Sequence, residues 1–229
     1  METSHKNTLD FHNDHNIAYG LGRSYGDVCL NQDGNVIVTT SFNKIIEIDQ
    51  NNGILSCESG ISIKEVLNII APMGWFLPVV PGTRNVTIGG AIANDIHGKN
   101  HHKVGSFGNF VKSITLQRSN GEILICNENE NFEFLKATVG GMGLTGVIIE
   151  ATFSVIPISS SFISVDTSRF NNLNDLMCEM SLSDKKYQYS VAWIDSLNKN
   201  FRGVLTCGDH IEKNKLPKEF ISNPLNYNV

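Results

Sequence analysis

The stretch Pro81-Gly82-Thr83-Arg84-Asn85-Val86-Thr87-Ile88-Gly89-Gly90-Ala91-Ile92-Ala93-Asn94-Asp95-Ile96-His97-Gly98-Lys99-Asn100-His101-His102 runs from a capping threonine through paired glycines to a histidine cluster. Thr87 is an N-cap residue type, and the residues after it predict a helix whose first turn carries Gly89 and Gly90. Small residues there let a planar ligand or a pyrophosphate lie against the helix N-terminus, where free N–H groups and the dipole favour anions. The helix then breaks at Gly98 among polar groups. His97 and His101 stand four apart, a spacing that suits a metal on one helix face. Gly98 argues against an unbroken helix and no H-E-x-x-H is present, so no metal site is expected. Three of the seven histidines fall within residues 97–102. Amid glycines they point to an active-site loop; a satisfied polar loop is the plainer alternative.

Two further glycine clusters flank this one. Upstream stands Gly20-Leu21-Gly22-Arg23-Ser24-Tyr25-Gly26-Asp27, just after the apolar Ile17-Ala18-Tyr19. Backbone N–H groups of such a turn can point at phosphate oxygens, and Arg23 can add a charge-assisted hydrogen bond. The spacing is not that of the Rossmann fingerprint, so a tight structural loop stays open as the alternative. Downstream, Gly140-Gly141-Met142-Gly143-Leu144-Thr145-Gly146 leads into an alternating apolar stretch. It lacks the lysine and following helix of a mononucleotide loop. It reads either as a tight strand entry or as backbone brought close to a flat cofactor.

Between the clusters the pattern is mixed α and β. Strands are predicted at 36–40, 45–49 and 54–58. Ser62 and Glu65 form a capping box, and Ile63, Val66, Leu67 and Ile70 give the apolar face of a helix that Gly74 ends. Residues 111–117 and 122–126 read as a hairpin around Ser119-Asn120-Gly121. A short helix follows at 132–138 and a long strand at 145–156. Pro157 and the serines 159–161 mark a boundary. Beyond it come a strand (162–166), a helix (173–180) and two strands (187–195 and 201–206), then a polar tail from Glu212. A unit of that kind, with an open edge and one helix, is marginal alone.

The 229 residues carry a net charge of −5 and no basic stripe, which argues against a nucleic-acid partner. No apolar run approaches the roughly 18 residues of a membrane span, and the polar start has no signal-peptide core, so the cytoplasm is the expected location. The five cysteines are widely spaced and odd in number, which predicts reduced thiols and no disulfide framework.

Taken together, the G-L-G-R-S-Y-G-D turn, the long P-G-T-R to H-G-K-N-H-H stretch, Gly105-Ser106-Phe107-Gly108-Asn109 and G-G-x-G-L-T-G resemble the PCMH-type FAD-binding domain of the vanillyl-alcohol oxidase superfamily, in its sugar-oxidase branch. The resemblance covers nearly the whole chain from about Ile17. It implies an α+β fold: a two-subdomain FAD-binding domain at 1–157, then an incomplete α+β substrate domain at 158–229. It implies that members carry one more strand–helix unit before the first glycine turn and continue past the equivalent of Val229. The family cradle for the pyrophosphate would run from Ala18 to Val28, with Gly20, Leu21, Gly22, Arg23, Ser24, Tyr25, Gly26 and Asp27, continued by Gly82, Thr87, Ile88, Gly89 and Gly90. Asn94, Asp95, Ile96 and His97 would lie along the flavin, Gly143 would approach it, and Val147 would meet the adenine side. Some members attach the flavin to a histidine of the first turn; here that turn holds none, so the FAD is expected to be non-covalent.

The chemistry so implied is oxidation of a secondary alcohol on a sugar, with hydride passing to flavin N5. Lys99 would stabilise charge on the reduced ring and His97 would relay the proton. The substrate is expected to be a sugar or a lipid-linked sugar, with a sugar lactone or an alditol as the alternative. A lipid-linked substrate would bring the protein to a membrane surface, and a reductase or epimerase partner would complete the pathway. A flavin-binding piece that needs a partner chain is a further alternative.

Overall fold

Residues 9, 11 and 15–227 are described in a computed structural model of the chain. Two short strands come first, β1 (Asn16–Tyr19) and β2 (Asn35–Val38), paired in parallel. Residues 20–34 make the return between them, and this span contains the first glycine turn.

A five-stranded antiparallel sheet is the centre of the molecule. Its strands are β3 (Ile45–Asp49) and β4 (Ile54–Glu58), then β6 (Val111–Gln117), β7 (Ile123–Asn127) and β8 (Val147–Ser154), in the order β3-β4-β8-β6-β7. Leu55 pairs with Phe153 and Cys57 with Ala151, which in turn pairs with Ile114. Alternation puts these side chains on one face, where they cluster with α1 (Ile63–Ile70) and α2 (Ile88–Ala93). Each large apolar side chain buried there contributes roughly 1.5–3 kcal/mol. The other face is polar: Ser56 and Thr152 hydroxyls bond across β4 and β8 at 2.8 Å.

Local signals in the sequence account for several elements. The Ser62–Glu65 capping box forms as expected, and α1 continues through a 3-10 turn to Gly74, whose φ of 84° closes it. The β6–β7 hairpin turns at Gly121, with φ 85°. Helix α4 occupies Phe132–Thr138. Two short elements, β5 (Trp75–Phe76) and β9 (Ile156–Pro157), pair with each other. The expected strand at 145–156 is therefore divided: β8 starts after Gly146 (φ 147°), and Ile156 turns away to β5. A one-turn helix α3 (His101–Val104) follows Gly98.

The remaining elements form a second sheet, β10 (Ile163–Phe170), β12 (Gly203–His210) and β11 (Tyr189–Ile194), in that order and antiparallel. Helix α5 (Leu173–Lys186) covers one face around Leu176, Leu205 and Cys207. It runs six residues past the expected end, to Lys186, and its last turn meets distant partners: Lys103 Nζ donates to Lys185 O at 2.9 Å and Ser190 Oγ to Asp184 Oδ1 at 2.7 Å. Strand β12 starts later than expected because Phe201 adopts φ 51°, and it then runs on to His210 along β10. A last turn, α6 (Lys218–Ile221), lies near the chain end.

Candidate FAD site

One cleft of ~500 Å³ opens between the β1–β2 unit and α2, and all three glycine clusters reach it. From the first come Gly20, Leu21, Gly22, Arg23, Ser24 and Tyr25; from the second, Gly82, Thr87, Gly89 and Gly90, then Asn94, Ile96 and His97. Gly143 comes from the third. Backbone hydrogen bonds explain part of this meeting: Gly89 N donates to Ser59 O just past β4, and the 140–146 bend is tied to the end of α2 through Ile92 O and Ala93 O.

The three bends differ in what they can offer a ligand. The amide of Ile88 donates to Ile61 O, that of Gly89 to Ser59 O and that of Gly90 to Thr87 Oγ1. The first turn of α2 thus has no free N–H, contrary to the expectation of an anion site there. What α2 contributes to the cleft is small residues, Gly89, Gly90 and Ala93. The third bend spends its amides similarly: Gly140 donates to Ile92 O and Met142 to Ala93 O. The first bend is different. Among the described residues, the amides of 20–26 donate to no backbone carbonyl. A run of uncommitted donors beside Arg23 is what a diphosphate requires.

Steric evidence agrees. A Cβ on Gly20 would lie 2.4 Å from Thr87 Oγ1, whereas one on Gly82 or Gly143 would meet nothing within 4 Å, only the space of the cleft. The buried hydroxyl of Ser59, which also lines the cleft, has no hydrogen-bond partner among the described residues. These features fit FAD: donors for the diphosphate at one end, a bare glycine floor for a flat ring, and an orphaned hydroxyl on the wall.

Several expected contacts are placed elsewhere. Asp95, with φ 40°, accepts from Ser106 Oγ and Gly108 N, both at 2.8 Å, so it braces the turn behind the cleft. Ile88 is wholly buried in the core. Val147 does not line the cleft; its neighbour Ile148 does. Gly26 and Asp27 also stand outside the lining, whereas Ala18 and Val28, the ends of the segment that the resemblance assigns to the pyrophosphate, belong to it, as does Cys29. Lys99 is exposed and off the cleft wall, while its carbonyl accepts from Ser190 N at 2.8 Å. His97 is exposed at the cleft, its ring 5.6 Å from that of His101 in a T-shaped contact. Among the described residues no group of three His, Cys, Asp or Glu is arranged to hold a metal.

Sequence reasoning missed Thr39, Ser59, Met142 and Ile148. Thr39 and Ser59 follow β2 and β4 closely, and strand ends that meet a glycine-rich helix are the signal that would have found them.

A protein-family model described as an FAD binding domain matches residues 6–127. The decaprenylphosphoryl-beta-D-ribose oxidase of Mycolicibacterium smegmatis is 38% identical over 218 residues, covering 93% of this chain and 47% of that protein. A D-lactate dehydrogenase of Anaerostipes hadrus is 29% identical over 147 residues, 62% of this chain and 31% of its own. Mouse L-gulonolactone oxidase is 26% identical over 170 residues, 74% and 38%. The chain spans about half the length of the first of these relatives or less. With more than half of its residues matched, and a glycine-walled cleft that suits the cofactor, the chain belongs to the FAD binding domain family.

Proposed function

We propose that this chain is the cofactor-holding part of an oxidoreductase that oxidises a secondary alcohol of a sugar, with a lipid-linked pentose as the substrate class. The observation that carries this reading is the cleft, where all three glycine clusters meet and where, among the described residues, the amides of 20–26 donate to no backbone carbonyl. The 38% identity to an oxidase of a lipid-linked ribose supports the substrate class. The lactone oxidases, at lower identity, favour a lactone or alditol less strongly. Residues 1–157 would form the cofactor unit and 158–229 the start of the substrate unit.

When bound, the flavin supplies the hydride acceptor. The protein's part is to hold and to move protons. The amides of 20–26 and Arg23 would bind the diphosphate. Gly89 and Gly90 would let the ring lie close to α2. His97, at the cleft, would take the hydroxyl proton or pass it on, because an imidazole can both accept and donate near neutral pH. Lys99 lies off the cleft wall and would reach the reacting groups only if its side chain turned inward. Among the described residues no helix is long and apolar enough to cross a membrane. A cytoplasmic enzyme meeting its substrate at the membrane surface, followed by a reductase partner, is consistent with that.

The test is a visible spectrum of the purified chain with added FAD, then acid precipitation and turnover with an artificial electron acceptor. The expected result is a bound flavin spectrum and release of all flavin into the acid supernatant. A colourless chain that ignores FAD would sink the reading. A coloured chain without turnover would favour the alternative, a flavin-binding unit that a second polypeptide completes.

A further inference from the structure

The turn that carries His97 and Lys99 is held from two sides. On the inner side, the wholly buried Asn100 donates its amide to Pro78 O at 2.7 Å. Gly98 is packed so closely there that a Cβ would lie 2.8 Å from Val80 O. On the outer side, residues 99–103 meet the end of α5 and the start of β11. Lys99 O accepts from Ser190 N at 2.8 Å, and Lys103 Nζ donates to Lys185 O at 2.9 Å. His102 Nε2 lies 3.3 Å from Tyr187 O and 3.7 Å from Asp184 Oδ1. Asp184 in turn accepts from Ser190 Oγ at 2.7 Å.

The last carbonyls of a helix lack partners within it and mark its negative end. Lys103 supplies both a donor and a positive charge at that point of α5. The bonds to the second sheet's unit therefore converge on a short segment that begins two residues after an imidazole at the cleft. A short turn with a buried anchor on one side has little freedom to absorb a shift on the other.

We infer that His102 and Lys103 are positioning residues: by tying their turn to α5, they make the seating of the second unit set where His97 and Lys99 stand. The catalytic use of that position rests on the proposed function; the mechanical link does not. The test is made on the full chain, with and without FAD, in Lys103→Met, Lys103→Arg and Asp184→Asn. Lys64→Met, on the exposed face of α1, is the control. Ring signals of His97 are followed by NMR with labelled histidine, and the exchange of the Ser190 amide by hydrogen exchange. Lys103→Met is expected to move the His97 signals beyond the control and to speed Ser190 exchange by about tenfold. Lys103→Arg, which keeps the donor and the charge, is expected to restore both. If Lys103→Met does not fold, Asp184→Asn loosens the same junction from the α5 side and is read the same way. Unmoved His97 signals with unchanged Ser190 exchange would overturn the inference, whatever the melting temperature does. Failure of the wild-type chain to bind FAD would overturn the proposed function and leave the link standing, since neither readout needs the cofactor.

Discussion

Gly20 and Thr87 meet where the first glycine turn touches the cap of α2. A methyl group on Gly20 would press on Thr87 Oγ1, the atom that accepts from Gly90 N at 3.1 Å. We expect Gly20→Ala to weaken FAD binding at least tenfold, about 1.4 kcal/mol, with far-UV circular dichroism unchanged; flavin fluorescence titration reads it. A second residue-scale prediction concerns His210. Burial holds its imidazole below the usual histidine range, against a weaker opposite pull from the Ser160 carbonyl and Asp209. A depressed histidine favours the folded state while it is neutral. Its contribution is present above the unfolded value near pH 6.5 and is lost as pH falls through the folded one. Urea midpoints should therefore fall between pH 7 and pH 5 in the wild type and fall less in His210→Gln. At this scale the sequence was only partly legible. Glycines and His97 could be assigned to the cleft because few other roles demand such clusters. Ile88 could not, because within a six-residue helix the sequence alone does not say which side faces the ligand and which the core; nor could Asp95, whose partners Ser106 and Gly108 lie eleven and thirteen residues away.

Elements whose signals are local were legible, and those shaped by distant neighbours were not. The capping box of α1 is a three-residue signal and forms with Glu65 Oε2 2.8 Å from Ser62 N and Ser62 Oγ 3.1 Å from Glu65 N. Ser62→Ala should cost about 1 kcal/mol in urea unfolding, since it removes an N-cap. The β6–β7 hairpin was equally readable from its Asn120-Gly121 turn. The extension of α5 and the late start of β12 were not. The last turn of α5 meets Lys103 and Ser190 from distant elements, and β12 begins only after Phe201, whose φ of 51° no residue type announces. The role of the α2 terminus was misjudged for the same reason: its amides are consumed by Ile61 and Ser59, and Ser59 lies thirty residues upstream of Gly89.

For the whole molecule, the unequal size of the two hydrophobic clusters matters most. The first joins one face of the five-stranded sheet to its helices with many buried side chains, whereas among the described residues the buried members of the second are Leu176, Leu205 and Cys207. Leu176→Ala should cost about 2–5 kcal/mol, concentrated in the second sheet. Hydrogen exchange should quicken in β10–β12 and α5 while β4, β6 and β8 keep their protection. Uniform loss across both sheets would mean that the two units open together. A boundary at Pro157 is an expectation from composition, whereas the bonds from residues 99–103 to α5 and β11 involve partners more than eighty residues apart and no local signal announces them.

The parallel pairing of β1 with β2 has a consequence of its own. Two strands that point the same way need a long path home, and here that path is the loop at 20–34 that contains the first glycine turn. The loop cannot be trimmed as ornament: every residue cut from it shortens the journey that lets β2 lie beside β1. Losing the loop would strip one wall from the cleft and leave β2 without its neighbour in one stroke, so shortening it should be tolerated poorly.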